Sequence, residues 1–137
     1  MPNWFLAKTD PETYSAAQFA AAKRTAWDGV TNAQAVAVIR SMQSGDRVWI
    51  YHSMGESAIV ALAKVVSPPR PDPANPKSAL VDMEYLKPVD PPVTLKLIKD
   101  SGLFPDWALI RQSRLSTMAA PDAFQQWMRL QRPKLKF

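Results

Sequence analysis

The sequence predicts an α+β fold, a small closed β-barrel with helices packed on its outside. Two observations lead there. Apolar residues recur at spacings of three and four in the first third of the chain, and the period then changes to that of β-strands at Arg47. The segment Ala58 to Val66 is apolar on nearly every residue, so a strand there needs cover on both faces, as a closed barrel with outer helices provides.

Each element follows from local chemistry. Asn3 to Lys8 reads as a short strand, broken by Thr9-Asp10-Pro11, since proline has no N–H to give to a ladder. Ser15 with Gln18 three residues on has capping-box spacing, and the alanine-rich run Ala16 to Lys23 is strongly helix-forming. Trp27-Asp28-Gly29 reads as a turn that ends this unit. Thr31 or Asn32 caps a second helix to about Gln43, with Ala35, Val38, Ile39 and Met42 as its buried stripe and Gly45 beyond its end.

Arg47 to His52 is β-branched and aromatic and reads as strand, followed by a turn at Met54-Gly55-Glu56 and the strand Ala58 to Val66. The prolines from Pro68 to Pro76 predict a stiff surface loop. Leu80 to Leu86 alternates as a third strand, with Val81, Met83 and Tyr85 on one face and Asp82 and Glu84 on the other. Pro88 to Pro92 leads into a short helix, Leu95 to Lys99. Trp107 to Ile110 and Leu115 to Met118 read as strand fragments. Pro121 at the first helical position and Asp122 in the first turn start a terminal helix with the stripe Phe124, Trp127 and Met128.

Composition narrows the function classes. The 137 residues contain no cysteine, which removes disulfides, thiolate metal sites and cysteine nucleophiles, and a lone histidine removes a histidine-rich metal site. No apolar run approaches the roughly 20 residues that span a bilayer, and no leader pattern opens the chain. The expectation is one domain over residues 1–137, cytoplasmic, monomeric, without metal or cofactor. The formal charge of +5 and pI near 9.7 suit a polyanionic partner. Part of that excess lies in residues 129–137, read as a basic, solvated C-terminal tail.

Three separated segments carry the residue types that hold a flat polar ring. Trp27 offers an aromatic face, though the same residue serves equally as core. Asn32 pairs a donor with an acceptor in one amide, though a plain helix cap uses the same group. Tyr51, His52 and Ser53 end a strand, and Arg114 with Ser116 lies in a polar segment where a guanidinium could meet phosphate or a base edge. Lys8-Thr9-Asp10 with Glu12 is the one segment in which a lysine beside a hydroxyl and a carboxylate could activate a nucleophile, though a strand end with a turn cap uses the same residues.

These segments also resemble a known family. Trp4-Phe5-Leu6-Ala7-Lys8-Thr9-Asp10-Pro11 is similar to the opening motif of EVE-domain proteins, and Trp27 to Ala35 resembles their Trp-Asp-Gly-Val-Arg-Asn-Tyr-Gln-Ala segment. Ile50-Tyr51-His52-Ser53 resembles their Phe-Tyr-His-Ser, and Arg111 to Ser116 their Arg-Gln-Ser-Arg-Leu-Ser, in the same order from residue 4 to about residue 128. The resemblance implies a PUA-like fold, a small bent β-barrel of about five or six strands flanked by helices. It further implies a module that reads a modified base in DNA or RNA, flipped into a pocket built from Lys8, Thr9, Trp27, Asn32, Tyr51, His52, Ser53, Arg114 and Ser116. Non-enzymatic binding is the expectation, with no catalytic residue. The alternatives are an ASCH-like amidohydrolase using Lys8, Thr9 and Glu12, and a pocket for a small anion or metabolite. The chain departs from the family pattern at Ser78, where a tryptophan is usual, at Ala58 and Ala61, where glycines are usual, and at Thr31, where arginine is usual. Ser78 would leave an aromatic cage open on one side.

Overall fold

The computed structural model describes residues 2–137. Seven strands and five helices follow in the order β1 (Trp4–Thr9), α1 (Ala16–Ala22), β2 (Arg24–Trp27), α2 (Ala33–Arg40), β3 (Arg47–His52), β4 (Ala58–Val65), β5 (Arg70–Asp72), β6 (Asn75–Thr94), α3 (Leu95–Asp100), α4 (Ala108–Arg111), β7 (Thr117–Ala119) and α5 (Asp122–Gln131). The α+β architecture is as the sequence predicts. The sheet runs β2-β6-β4-β3-β1-β7, with β5 attached to β6. Only β1 and β3 pair in parallel, and the chain between them carries α1, β2 and α2, the length of connection that parallel neighbours require. Every other ladder is antiparallel.

The sheet bends but does not close. β2 at one end and β7 at the other each have a single neighbour among the described residues, so the predicted closed barrel is a bent open sheet instead. Closure needs one unbroken ladder around the ring, and β2 is only four residues long. That strand itself was not legible as such. Lys23 ends α1 with a positive φ of 67°, and its N–H returns to the Phe19 carbonyl. The chain thus leaves the helix early and runs extended through Trp27, where the sequence reads as turn.

Three further departures have local causes. The proline-rich stretch is strand rather than loop: β5 begins at Arg70, and β6 extends through Pro76, Pro88, Pro91 and Pro92. The β4 ladder passes from Val93 opposite Ile59 to Pro88 opposite Ala61, so the residues between bulge out and need no ladder N–H. The Arg132 guanidinium donates to the Pro91 carbonyl at 2.7 Å and the Pro92 carbonyl at 3.1 Å, satisfying the bulge from α5. Trp107 caps the single helical turn α4, which takes in Ala108 to Ile110, so this segment is not a strand; four apolar residues carry too little periodicity to separate the two. The strand at Leu115 to Met118 forms two residues later, as β7.

The predicted N-caps of α1 and α2 hold, whereas Pro121 stands at the N-cap of α5, one residue before the first helical position expected for it. Ser15 and Gln18 make the reciprocal capping box, and Asn32 rather than Thr31 caps α2, accepting from the Ala35 N–H at 3.1 Å. In α2 the buried stripe is Ala35, Val36 and Ile39, with Val36 taking the place foreseen for Val38, and Met42 is buried just beyond the helix. β3 is buried on both faces from Val48 to Tyr51. On one face Trp49 meets Phe124 edge-on at 6.2 Å, and Phe124 stacks against Trp107 at 4.6 Å. On the other, Phe19 lies between Trp27 (5.8 Å) and Tyr85 (5.5 Å). The C-terminal residues do not hang free. Arg129 belongs to α5, and the Phe137 ring packs 5.4 Å from Trp4 and 5.2 Å from Trp49.

Gln125 joins α5 to the sheet. Its side chain is buried, accepts from the Trp49 indole N–H at 3.0 Å and donates to the carbonyls of Pro121 (2.8 Å) and Ala120 (3.2 Å). Replacing it strands several buried polar groups, so Gln125→Leu is expected to destabilise the fold by about 2–3 kcal/mol in urea unfolding. A midpoint unchanged from the parent contradicts this role.

Candidate functional site

One cleft of about 630 Å³ lies beside the end strand β2. Thr25, Ala26 and Trp27 of β2 line one side, and Lys8 and Thr9 of β1 with Arg114 and Ser116 line the other. The turn 10–14 and the loop 28–32 complete the rim. Its volume is typical of sites that take a small ligand.

Local bonds hold both walls. The 28–32 loop turns at Gly29, whose φ of +76° favours glycine, and the Gly29 N–H donates to the buried Asp72 carboxylate at 3.3 Å. One residue on, the Val30 carbonyl accepts from the Ser78 hydroxyl at 2.5 Å. Ser78 is therefore buried and supports the loop from behind. It does not line the cleft, so the expected open side of an aromatic cage is not where this residue sits. Opposite, Lys8 fastens the 113–116 segment: its backbone N–H donates to the Ser116 carbonyl at 2.7 Å, and Nζ donates to the Ser113 carbonyl at 2.9 Å. The Lys8 ammonium also stands 5.6 Å from the centre of the Tyr51 ring, and its partial burial lowers its pKa from the ordinary 10.5.

Of the nine residues singled out in the sequence, the structure brings Lys8, Thr9, Trp27, Asn32, Arg114 and Ser116 to this cleft. Tyr51, His52 and Ser53 do not line it. Tyr51 is buried beneath Lys8, its register partner, and burial pushes its phenol pKa up. The His52 Nε2 accepts from the Ala16 N–H at 3.1 Å, satisfying an otherwise free donor in the first turn of α1. Ser53 binds back to the Thr9 carbonyl through its N–H at 3.0 Å and its hydroxyl at 3.4 Å. These three brace the floor.

Within the lining, some groups are committed and others free. The Thr9 hydroxyl donates to the Tyr14 carbonyl at 2.7 Å, and the Asn32 Oδ1 is taken by its cap, which leaves the amide nitrogen for a ligand. Arg114 is exposed and makes no ion pair among the described residues, whereas the neighbouring Arg111 is held by Asp106 at 2.8 Å. The indole N–H groups of Trp49 and Trp107 have partners at 3.0 and 2.9 Å; that of Trp27 has none among the described residues. Trp27 is only 7% exposed, its ring backed by Phe19 and Tyr14, so the cleft meets part of a firmly held indole.

Sequence reasoning missed Tyr14 and the Asp28 carboxylate as lining groups, and placed the Asp10 carboxylate only in the Lys8-Thr9-Asp10 set. The Tyr14 hydroxyl is buried without a hydrogen-bond partner among the described residues. Only the break at Asp10-Pro11 and the turn at Asp28-Gly29 hinted at these positions. Two cations and two carboxylates make the lining mixed in charge. No group of three or more His, Asp or Glu gathers among the described residues as a metal would need, and no helix there is long and apolar enough to cross a membrane.

An open sheet flanked by helices, with a polar cleft between β2 and the β1 and Arg114 segments, defines an α+β domain of the PUA-like class. The chain belongs to the EVE domain family, whose model matches residues 3–130. Rpa0253 from Rhodopseudomonas palustris superposes with a TM-score of 0.89 at 32% identity, over 98% of this chain and 96% of that one. Human THYN1 protein, in a structure with 5-methylcytosine-containing DNA, has the same fold with a TM-score of 0.85 at 24% identity, over 93% of this chain and 96% of that one. Thymocyte nuclear protein 1 of Rattus norvegicus is 30% identical over 115 residues, 64% of this chain and 51% of that protein. The chain thus spans about half the length of the curated relatives it matches.

The His52 bond carries a pH signature. Burial lowers the His52 pKa below 6.5, so the folded chain takes up a proton less readily than the unfolded one. The stability tied to the neutral ring is complete above pH 6.5 and is lost as pH falls from there through the folded-state pKa. Urea midpoints should therefore drop further between pH 7.5 and 5.5 in the parent than in His52→Gln, which keeps an acceptor but does not titrate. Equal drops contradict the assignment.

Proposed function

We propose that the cleft holds a single nucleobase of a DNA or RNA strand, and that the chain is a reader of modified bases with no catalytic step of its own. The observation that carries this reading is the composition of the lining. An aromatic wall at Trp27, a spare amide at Asn32, carboxylates at Asp10 and Asp28, and the unpaired guanidinium of Arg114 surround one hollow. A neutral ring with donors and acceptors suits such a lining, while a small anion alone would meet two carboxylates as well as two cations. Stacking against an indole is worth about 1–3 kcal/mol, and a carboxylate can accept from the exocyclic amine of cytosine.

The likeness to a human protein in complex with 5-methylcytosine-containing DNA supports 5-methylcytosine as the first base to try. The net charge of +5 supports a polyanion. In this reading Trp27 stacks on the base, Asn32 and Asp28 meet its edge, and Arg114 with Lys8 faces the flanking phosphate. A paired base is closed to such a pocket, so the strand is single or the base is flipped, at a cost of a few kcal/mol.

Hydrolysis by Lys8, Thr9 and Glu12 draws no support from the geometry. Lys8 and Thr9 have their polar atoms on the carbonyls of Ser113 and Tyr14, and Glu12 is exposed and does not line the cleft.

Arg114 is exposed and has no partner among the described residues, so Arg114→Ala is expected to leave the melting temperature unchanged. It should weaken binding of a single-stranded 5-methylcytosine oligonucleotide about tenfold and lower the salt slope of log K by about one. Fluorescence anisotropy at several salt concentrations measures both. Parent-like affinity and slope in this variant contradict the placement of the strand.

A further inference from the structure

The end strand β2 presents unused backbone to the cleft. Its one neighbour is β6, in the register Arg24 opposite Glu84, Thr25 opposite Met83, Ala26 opposite Asp82 and Trp27 opposite Val81. The Lys23 carbonyl accepts from the Tyr85 N–H at 2.8 Å, which fixes the phase of the ladder. Bonded and non-bonded pairs alternate in an antiparallel ladder, so Thr25 and Trp27 aim their peptide groups at β6 while Ala26 aims its own away from it. Asp82, opposite Ala26, confirms the phase from the other side. Its N–H donates to the Ser67 hydroxyl at 2.8 Å, and its carbonyl accepts from the Val66 N–H at 2.9 Å, both away from β2.

Ala26 is exposed and lines the cleft, and neither its N–H nor its carbonyl has a partner in the chain among the described residues. Folded proteins usually blunt such an edge with charge, proline or a covering segment. Here the side chain is a methyl group, and the adjacent Arg24 is drawn to Glu84 at 2.9 Å. A donor and an acceptor from one residue, side by side and unscreened, therefore face the hollow.

We propose that the Ala26 N–H and carbonyl read the Watson–Crick edge of the bound base. The N–H donates to an unprotonated ring nitrogen, and the carbonyl accepts from the neighbouring exocyclic amine, the pair that cytosine displays at N3 and N4. This rests on the base-binding reading above and adds to it which edge is used. It follows which modifications are compatible. A methyl at C5 leaves that edge clear, whereas a methyl at N3 removes the acceptor and brings a positive charge against the peptide N–H.

The test is a ¹⁵N–¹H titration of the full chain with two short single-stranded DNAs, identical except for 5-methylcytosine in one and 3-methylcytosine in the other. In the free protein the Ala26 amide should exchange rapidly with solvent while those of Thr25 and Trp27 are protected. Addition of the 5-methylcytosine strand should move the Ala26 amide downfield and slow its exchange. The 3-methylcytosine strand should bind about tenfold more weakly or worse, the loss expected for a missing hydrogen bond with its donor left facing a blocked edge. Ala26→Pro replaces an N–H that the ladder does not use with a ring methylene and should weaken the 5-methylcytosine strand similarly, while Ala26→Val, which keeps that N–H, should not. If the 5-methylcytosine strand shifts the Trp27 indole resonance while the Ala26 amide stays unmoved, or if both strands bind alike, the edge assignment is overturned and the base-binding reading stands. If neither strand binds, both fall.

Discussion

The open edge of β2 governs this molecule. Among the described residues that strand pairs with β6 alone, stops after four residues and turns away at Gly29. The cleft lies beside it, across from Lys8 and Thr9 of β1 and the Arg114 segment. Its two sides inherit the rigidity of the strands behind them, and a further strand on that edge would consume the Ala26 peptide.

Rigidity and availability are divided among neighbouring residues. Lys8 spends its ammonium on the 113–116 segment, Thr9 its hydroxyl on the 10–14 turn, and Asn32 its carbonyl oxygen on α2. His52 and Ser53 brace the same region from below. Because these polar groups are fixed, the remaining ones keep their positions without a ligand: the Trp27 indole edge, the Asn32 amide nitrogen and the Ala26 peptide. Preorganisation of this kind lowers the ordering cost of binding. Arg114, exposed and without an ion-pair partner, is the exception, as suits a group that meets a flexible phosphodiester.

Much of the fold was legible because strong local signals agree with the tertiary structure. The capping box at Ser15, the Asn32 cap and the aromatic run Arg47 to His52 all form where their chemistry indicates. What failed was short or contradictory. β2 hides behind an alanine run whose helix ends at Lys23 with no glycine to mark it, and α4 is one turn long. The prolines of β6 speak against a strand, but they sit where the ladder bulges or the N–H is not required. Six of the nine candidate site residues share the cleft. Tyr51, His52 and Ser53 could not be told apart from them, because adjacency to the site along β3 looks the same in sequence whether a side chain lines the hollow or supports it. Tyr14 and Ala26 carried no sequence signal, since a tyrosine near a helix cap and an alanine in a strand are unremarkable until the open edge is seen.

The most direct measurement is a crystal structure of the chain with a single-stranded oligonucleotide containing one 5-methylcytosine. The account predicts that base turned out of its strand into the space between β2 and the Arg114 segment, its ring against Trp27. A complex in which the strand lies on another face, or in which this hollow holds only solvent while the oligonucleotide is bound, contradicts it.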